Sequence, residues 1–156
     1  MINMNVFGVD IPNKALTNIE LEYYVKELKI PHFRGVFMRD TLPKQPKKIE
    51  CGIVNLNTSK EKGSHWTAYF KNQIRIYFDS YGQITPIEIQ NYLKTQEERE
   101  ISVIQRNTDI VQSVGTSICG HLCLFVLKAL SLDWTFQQVL NYLDGYTRGN
   151  REITET

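Results

Sequence analysis

A cysteine followed at once by glycine, at the head of a long apolar run, is the residue of this chain best placed to act as a nucleophile. It is Cys119, in the stretch SVGTSICGHLCLFVLKAL. The run from Cys119 to Leu132 is apolar around most of its circumference, which predicts a buried helix with Cys119 in its first turn. Unpaired backbone N–H groups and the positive end of the helix dipole favour a thiolate there and lower the thiol pKa. Gly120 puts no side chain beside the sulfur and is expected to let a substrate backbone come close. Cys123, one turn later, has neither advantage and reads as core, because free cysteine packs as a small hydrophobe.

A nucleophilic thiol needs a base, and the base needs a group that fixes its tautomer. Of the three histidines, His121 stands two residues after Cys119 and points to another helix face. His32 follows Pro31 in a loop. His65 opens a strand candidate running to Phe70, and the next candidate, Ile74 to Phe78, is followed by Asp79. With Asn72-Gln73 as a short turn, the two strands form a hairpin, so the start of one lies beside the end of the other. His65 and Asp79 are therefore expected side by side, the carboxylate holding the imidazole. Asp79 also suits the opening of the turn Asp79-Ser80-Tyr81-Gly82. Gln112, seven positions before Cys119, carries an amide that can donate to the oxyanion of a tetrahedral intermediate, with the Cys119 backbone N–H as second donor. No cofactor or metal is expected. A zinc site from Cys119, His121 and Cys123 is disfavoured, since alternate residues on a helix diverge and the sequence suggests no fourth ligand.

The elements that must position these groups can be read in turn. Thr17 and Glu20 form a T-x-x-E capping box, which opens a helix to about Leu28, with Pro31 helping to stop it. An extended piece and a loop follow, with Gly35, Pro43 and Pro46. The strands are Glu50 to Leu56, His65 to Phe70 and Ile74 to Phe78, the last with period-two alternation. Pro86 starts a helix to about Lys94, with Ile87, Ile89, Tyr92 and Leu93 on or near its buried side. Ile101 to Gln105 reads as another strand. After the Cys119 helix, Thr135 caps a last helix through about Leu143, ended by Gly145. The tail from 147 to 156 offers little to bury and is expected to be disordered. The predicted class is α+β: a small mixed sheet flanked by helices, with the nucleophile at the N-terminus of a buried central helix.

Composition sets outer bounds. The 156 residues, 42% hydrophobic, suffice for one domain, 1–156, and no linker or repeat divides them. A net charge of +1 excludes the strongly basic balance of non-specific nucleic-acid binders. The opening MINMNVFGVD lacks the basic start and apolar block of a signal peptide. The longest apolar run contains Lys128 and falls short of a membrane span. Three cysteines, with no secretion signal, fit no disulfide framework. An intracellular protein is expected.

In order and type, these residues resemble the adenovirus protease (adenain) family and, more distantly, the SUMO/ubiquitin-like-protein proteases. The resemblance is carried by FRGVFMRDTLP (33–43), CGIVNLN (51–57), SHWTAYF (64–70), IYFDSYG (76–82) and QSVGTSICGHLC (112–123). It implies His65 as general base, Asp79 as its orienting partner, Cys119 as nucleophile and Gln112 as oxyanion donor. It also implies a central sheet flanked by helices, and Trp66 as a wall of a narrow groove that favours glycine near the scissile bond. Adenoviral members use a strongly basic surface and DNA as a cofactor, and a cysteine bridged to an activating peptide. The near-neutral charge and the residue near Ile101, not a cysteine, argue against both here. The compact size resembles the adenain-like proteases of virus-like DNA transposons and related viruses. The implied function is cleavage of capsid or scaffold polypeptides by a monomeric enzyme in the host cytoplasm or nucleus, or packaged in a virion. Removal of SUMO or another ubiquitin-like modifier is the alternative substrate class, and an inactive binding module the alternative without catalysis.

Overall fold

A computed structural model describes residues 3–60, 65–94, 103–112 and 116–147. The first element is a hairpin that sequence periodicity did not announce: β1 (Asn3–Val6) pairs antiparallel with β2 (Val9–Pro12). Its turn, Phe7-Gly8, has both residues at positive φ, 46° and 87°. Such a two-residue turn matches the twist of the flanking strands. The Phe7 ring stacks on Phe125 at 5.2 Å, an anchor that only the tertiary structure supplies.

Helix α1 (Asn18–Leu28) begins as expected, with the Thr17 side chain accepting from the Glu20 N–H and the Glu20 side chain accepting from the Thr17 N–H. It ends on Lys29 in the left-handed region. The main sheet then forms from β3 (Phe33–Met38), β4 (Glu50–Asn55), β5 (Trp66–Lys71), β6 (Arg75–Phe78) and β7 (Ile104–Arg106), in that spatial order. Its centre, β4–β5–β6, is antiparallel, and both edge strands join in parallel, so the sheet is mixed. The strand expected over 101–105 is shorter and shifted, and residues 101 and 102 lie outside the described residues, as do Gly63, Ser64 and Gly115.

Helix α3 (Cys119–Ser131) is the central element. It lies against β5, and from Cys119 to Leu130 every side chain but Lys128 is buried. Burying leucines and phenylalanines such as Leu122, Leu127 and Phe125 contributes about 2 kcal/mol each. That anchorage fixes the helix N-terminus in space. Helix α2 (Ile87–Lys94) covers a second, smaller cluster of Val54, Tyr69, Tyr77, Ile89, Tyr92 and Leu93.

Two expectations fail locally. Ile87 is exposed, not buried, because Ile89, Tyr92 and Leu93 define the inner stripe and Ile87 falls on the far side of the helix. Gly145 does not end the last helix: α4 (Phe136–Thr147) runs through it. An interior glycine costs about 1 kcal/mol against alanine. Leu143, fully buried, and Tyr146, packed on the core, hold the helix on both sides of it. The tail beyond Thr147 lies outside the described residues.

Candidate active site

The hairpin register decides where the base goes. Ala68 pairs with Phe78, and each step back along β5 is a step forward along β6, which brings His65 level with Tyr81 and beside Asp79. The Leu56 N–H donates to the His65 carbonyl at 3.0 Å, extending the β4–β5 ladder to this residue. His65 Nε2 is 2.7 Å from Asp79 Oδ1. That contact leaves Nδ1 for Cys119, whose thiol the ring also engages. Asp79 Oδ1 accepts a second bond, from the Tyr81 N–H at 2.9 Å.

Cys119 sits where α3 begins with no side-chain cap and no acidic residue in its first turn. Trp66 N–H donates to Sγ at 3.5 Å, and Gly120 N–H adds a second contact. Burial alone would raise the thiol pKa, but the His65 hydrogen bond and these N–H groups outweigh it, so it is lowered. For His65, burial pulls the pKa down, and the Asp79 hydrogen bond and Cys119 more than reverse it, to about 9. The two shifts agree in sense: each favours a thiolate–imidazolium pair. Cys123, with no exposure, is pushed well above the usual thiol range by burial. His121 turns away, its Nε2 2.7 Å from the Pro12 carbonyl, and His32 is an exposed turn residue that does not line the groove.

The pair opens onto a groove of about 730 Å³. One side is the start of α1, from Ala15 to Asn18, and the end of β3, from Val36 to Met38; Trp66, Tyr81 and Gln112 complete it around Cys119. Trp66 Nε1 donates to the Leu16 carbonyl at 2.9 Å, so the indole is a fixed wall. Gln112 is 2% exposed and contributes to the same groove.

The expected role of Gly120 needs correction. A Cβ at this position would meet Leu21 at 3.1 Å, Leu16 at 3.4 Å and Trp66 at 3.4 Å. A side chain here would press on Leu21 and on Leu16 and the indole from behind, and Gly120 itself does not line the groove, so glycine lets α3 pack closely against them. One neighbour of the pair escaped sequence reasoning. The Tyr81 ring stacks on the His65 ring at 4.8 Å and 26°. The expected two-residue turn would have put Ser80 opposite His65; the observed turn takes in Asn72 to Ile74, and that one-residue shift brings Tyr81 there instead.

Comparison with solved structures bears on the fold. Two crystal structures of the ASFV pS273R protease match with TM-scores of 0.57 and 0.53, at 15% and 14% identity, over 90% of this chain and 69% of that one. The chain shares the mixed α+β fold of that protease. No protein-family model matches the chain, and no curated protein matches it in sequence. Among the described residues no group of histidine, cysteine and carboxylate side chains could hold a metal ion, and no helix is long and apolar enough to cross a membrane.

Proposed function

We propose that the chain is a cysteine endopeptidase of the adenain-like kind. The observation that supports this most is His65 held between Asp79 and Cys119 at the floor of a groove. The Cys119 thiolate attacks the scissile carbonyl carbon, forming a C–S bond while the π electrons move to oxygen. The Cys119 N–H and a Gln112 N–H receive that oxyanion. Collapse expels the amine, which takes the proton from His65, and leaves a thioester. Water then attacks with His65 as base, and the carboxylic acid departs as the thiolate returns. Asp79 holds the imidazole in place throughout.

The substrates proposed are capsid or scaffold polypeptides of a virus or virus-like element, cut at glycine-containing sites. The likeness to a viral protease favours that source. The fixed Trp66 wall favours glycine, since a side chain before the cut would meet the indole, and steric exclusion outweighs a small hydrophobic gain. A peptide library read by mass spectrometry tests both points, with Cys119→Ala as control. Preference for glycine one or two positions before the cut is expected. Bulky residues accepted at both positions would contradict the narrow groove, and rapid labelling by a SUMO or ubiquitin-like modifier with an electrophilic C-terminus would favour the modifier substrates instead.

A further inference from the structure

The turn after β6 carries a buried hydroxyl that this chemistry leaves unused. Ser80 is fully buried, and its Oγ donates to Gln112 Oε1 at 2.5 Å. Its carbonyl accepts from the Val111 N–H at 2.8 Å. The same loop returns two bonds to the acid: Asn107 Oδ1 accepts from the Asp79 N–H at 3.1 Å, and Asn107 Nδ2 donates to the Asp79 carbonyl at 2.6 Å. Gly82 lies so near the loop that a Cβ there would fall 2.5 Å from the Thr108 carbonyl oxygen. The turn that holds the acid and the loop that holds the glutamine therefore form one laced unit.

The partners fix which way the Gln112 amide points. The Thr116 carbonyl can only accept, so the amide nitrogen must face it, at 2.9 Å. Oε1 is then left on the Ser80 side, where the hydroxyl donates. One N–H is used on Thr116, and the second remains, on a side chain that lines the groove beside Cys119.

We propose that Ser80 is a positioning residue for the oxyanion donor: its hydroxyl fixes the Gln112 amide so that the remaining N–H meets the developing oxyanion. Through the peptide bond to Asp79, one turn then aligns both the acid and the oxyanion arms. This rests on the protease reading of Cys119. The terminal torsion of a glutamine is broad, so an amide held at one end only samples many angles. Donors accelerate the reaction when they are already aimed at the place where charge develops. The Ser80 hydroxyl is spent on Gln112 and not on His65 or Cys119, so its loss falls on the oxyanion and leaves the thiolate pair intact.

The test compares Ser80→Ala, Gln112→Ala and the double variant by peptide kinetics, by affinity for a peptide aldehyde and by alkylation with iodoacetamide. The aldehyde adds to Cys119 and puts an oxygen in the same place as the oxyanion; alkylation needs only the thiolate. Ser80→Ala should lower kcat on the order of tenfold with KM unchanged and weaken the aldehyde equally. Its alkylation rate and pH profile should match wild type, and in the Gln112→Ala background it should cost nothing further. Ser80→Cys, close in size and a weaker donor, should fall between, and it carries the test if the alanine variant fails to fold. The same loss in the Gln112→Ala background, or a changed alkylation profile, would overturn the proposal. Unchanged aldehyde affinity in both Ser80 variants overturns it alone, whereas a wild-type protein that neither cuts peptides nor binds the aldehyde overturns the protease reading with it.

Discussion

Two buried carboxylates stand at opposite ends of the β4–β5–β6 core, and they have opposite fates. Glu50, paired in register with Lys71 at the closed end, accepts from Tyr69 Oη at 2.6 Å, Tyr92 Oη at 2.8 Å, Arg34 at 3.2 Å and the Lys47 N–H at 2.6 Å. Tyr69 reaches it by lying across Gly52, where a Cβ would be 2.6 Å from the ring. The two tyrosines there are pushed up and stay neutral. Asp79, at the open end, gives one oxygen to an imidazole that also engages a thiol at a groove. Burial and titratable neighbours are common to both. What separates a site from a structural knot is a partner that can change protonation within reach of open space. The thiols repeat the lesson: burial and Glu50 push Cys51 up to about 12, while His65 and backbone donors bring Cys119 down.

The contrast can be broken most sharply at the thiols. Cys119→Ala should abolish peptide cleavage and keep the fold, since it removes one small group. Cys123→Ala should stay active and lose about 1–2 kcal/mol of stability in denaturant titration. An active Cys119 variant beside a dead Cys123 variant would reverse the assignment.

Next in size is the base. His65→Ala should reduce kcat/KM by about 10³, within the range of general acid–base catalysis. Asp79→Asn should cost less, on the order of tenfold, because an amide oxygen can still accept from both His65 and the Tyr81 N–H. It should also move the pH profile. The alkaline limb reports loss of the imidazolium proton, held to about 9 in part by the Asp79 carboxylate. Without that charge the proton leaves earlier, so the limb shifts to lower pH. A limb that stays in place would show that Asp79 does not set it.

At the closed end the effect on catalysis should be smaller still. Glu50→Ala takes the carboxylate acceptor from Arg34 and from both tyrosine hydroxyls, a loss of about 3 kcal/mol in stability. kcat per folded molecule should not change. A falling kcat would mean that the two ends are coupled. Smallest of all should be the response to added DNA: the net charge of +1 gives little to attract it, and a large, salt-sensitive stimulation would contradict that.

Much of this was open to sequence reading because it is local. The capping box of α1, the apolar length of α3 and a hairpin near Asn72 are short-range signals; the turn takes in Ile74 as well as Asn72-Gln73, one residue more than expected, and the hairpin still brings His65 to Asp79. Other features depend on distant chain segments. The β1–β2 hairpin has strands too short to show a period, and its Phe7 is held by Phe125. Gly120 looked like an open approach to the sulfur because nothing in the sequence says that Leu16 and Leu21 lie behind it. Ser80 sits next to Asp79 in the chain, yet its tie to Gln112 exists only once the 107–112 loop has folded back on the turn.

The central claim is that Cys119 exists as a thiolate because His65 faces it, and the pH dependence of its alkylation measures this directly. Iodoacetamide labelling, followed by mass spectrometry of the Cys119 peptide, should show reactivity persisting well below the pH at which an ordinary thiol, ionising near about 8.5, falls silent. In His65→Ala the profile should move up toward that ordinary range. A wild-type profile that rises only where an ordinary thiol ionises, and that the His65 variant leaves unchanged, would contradict the account.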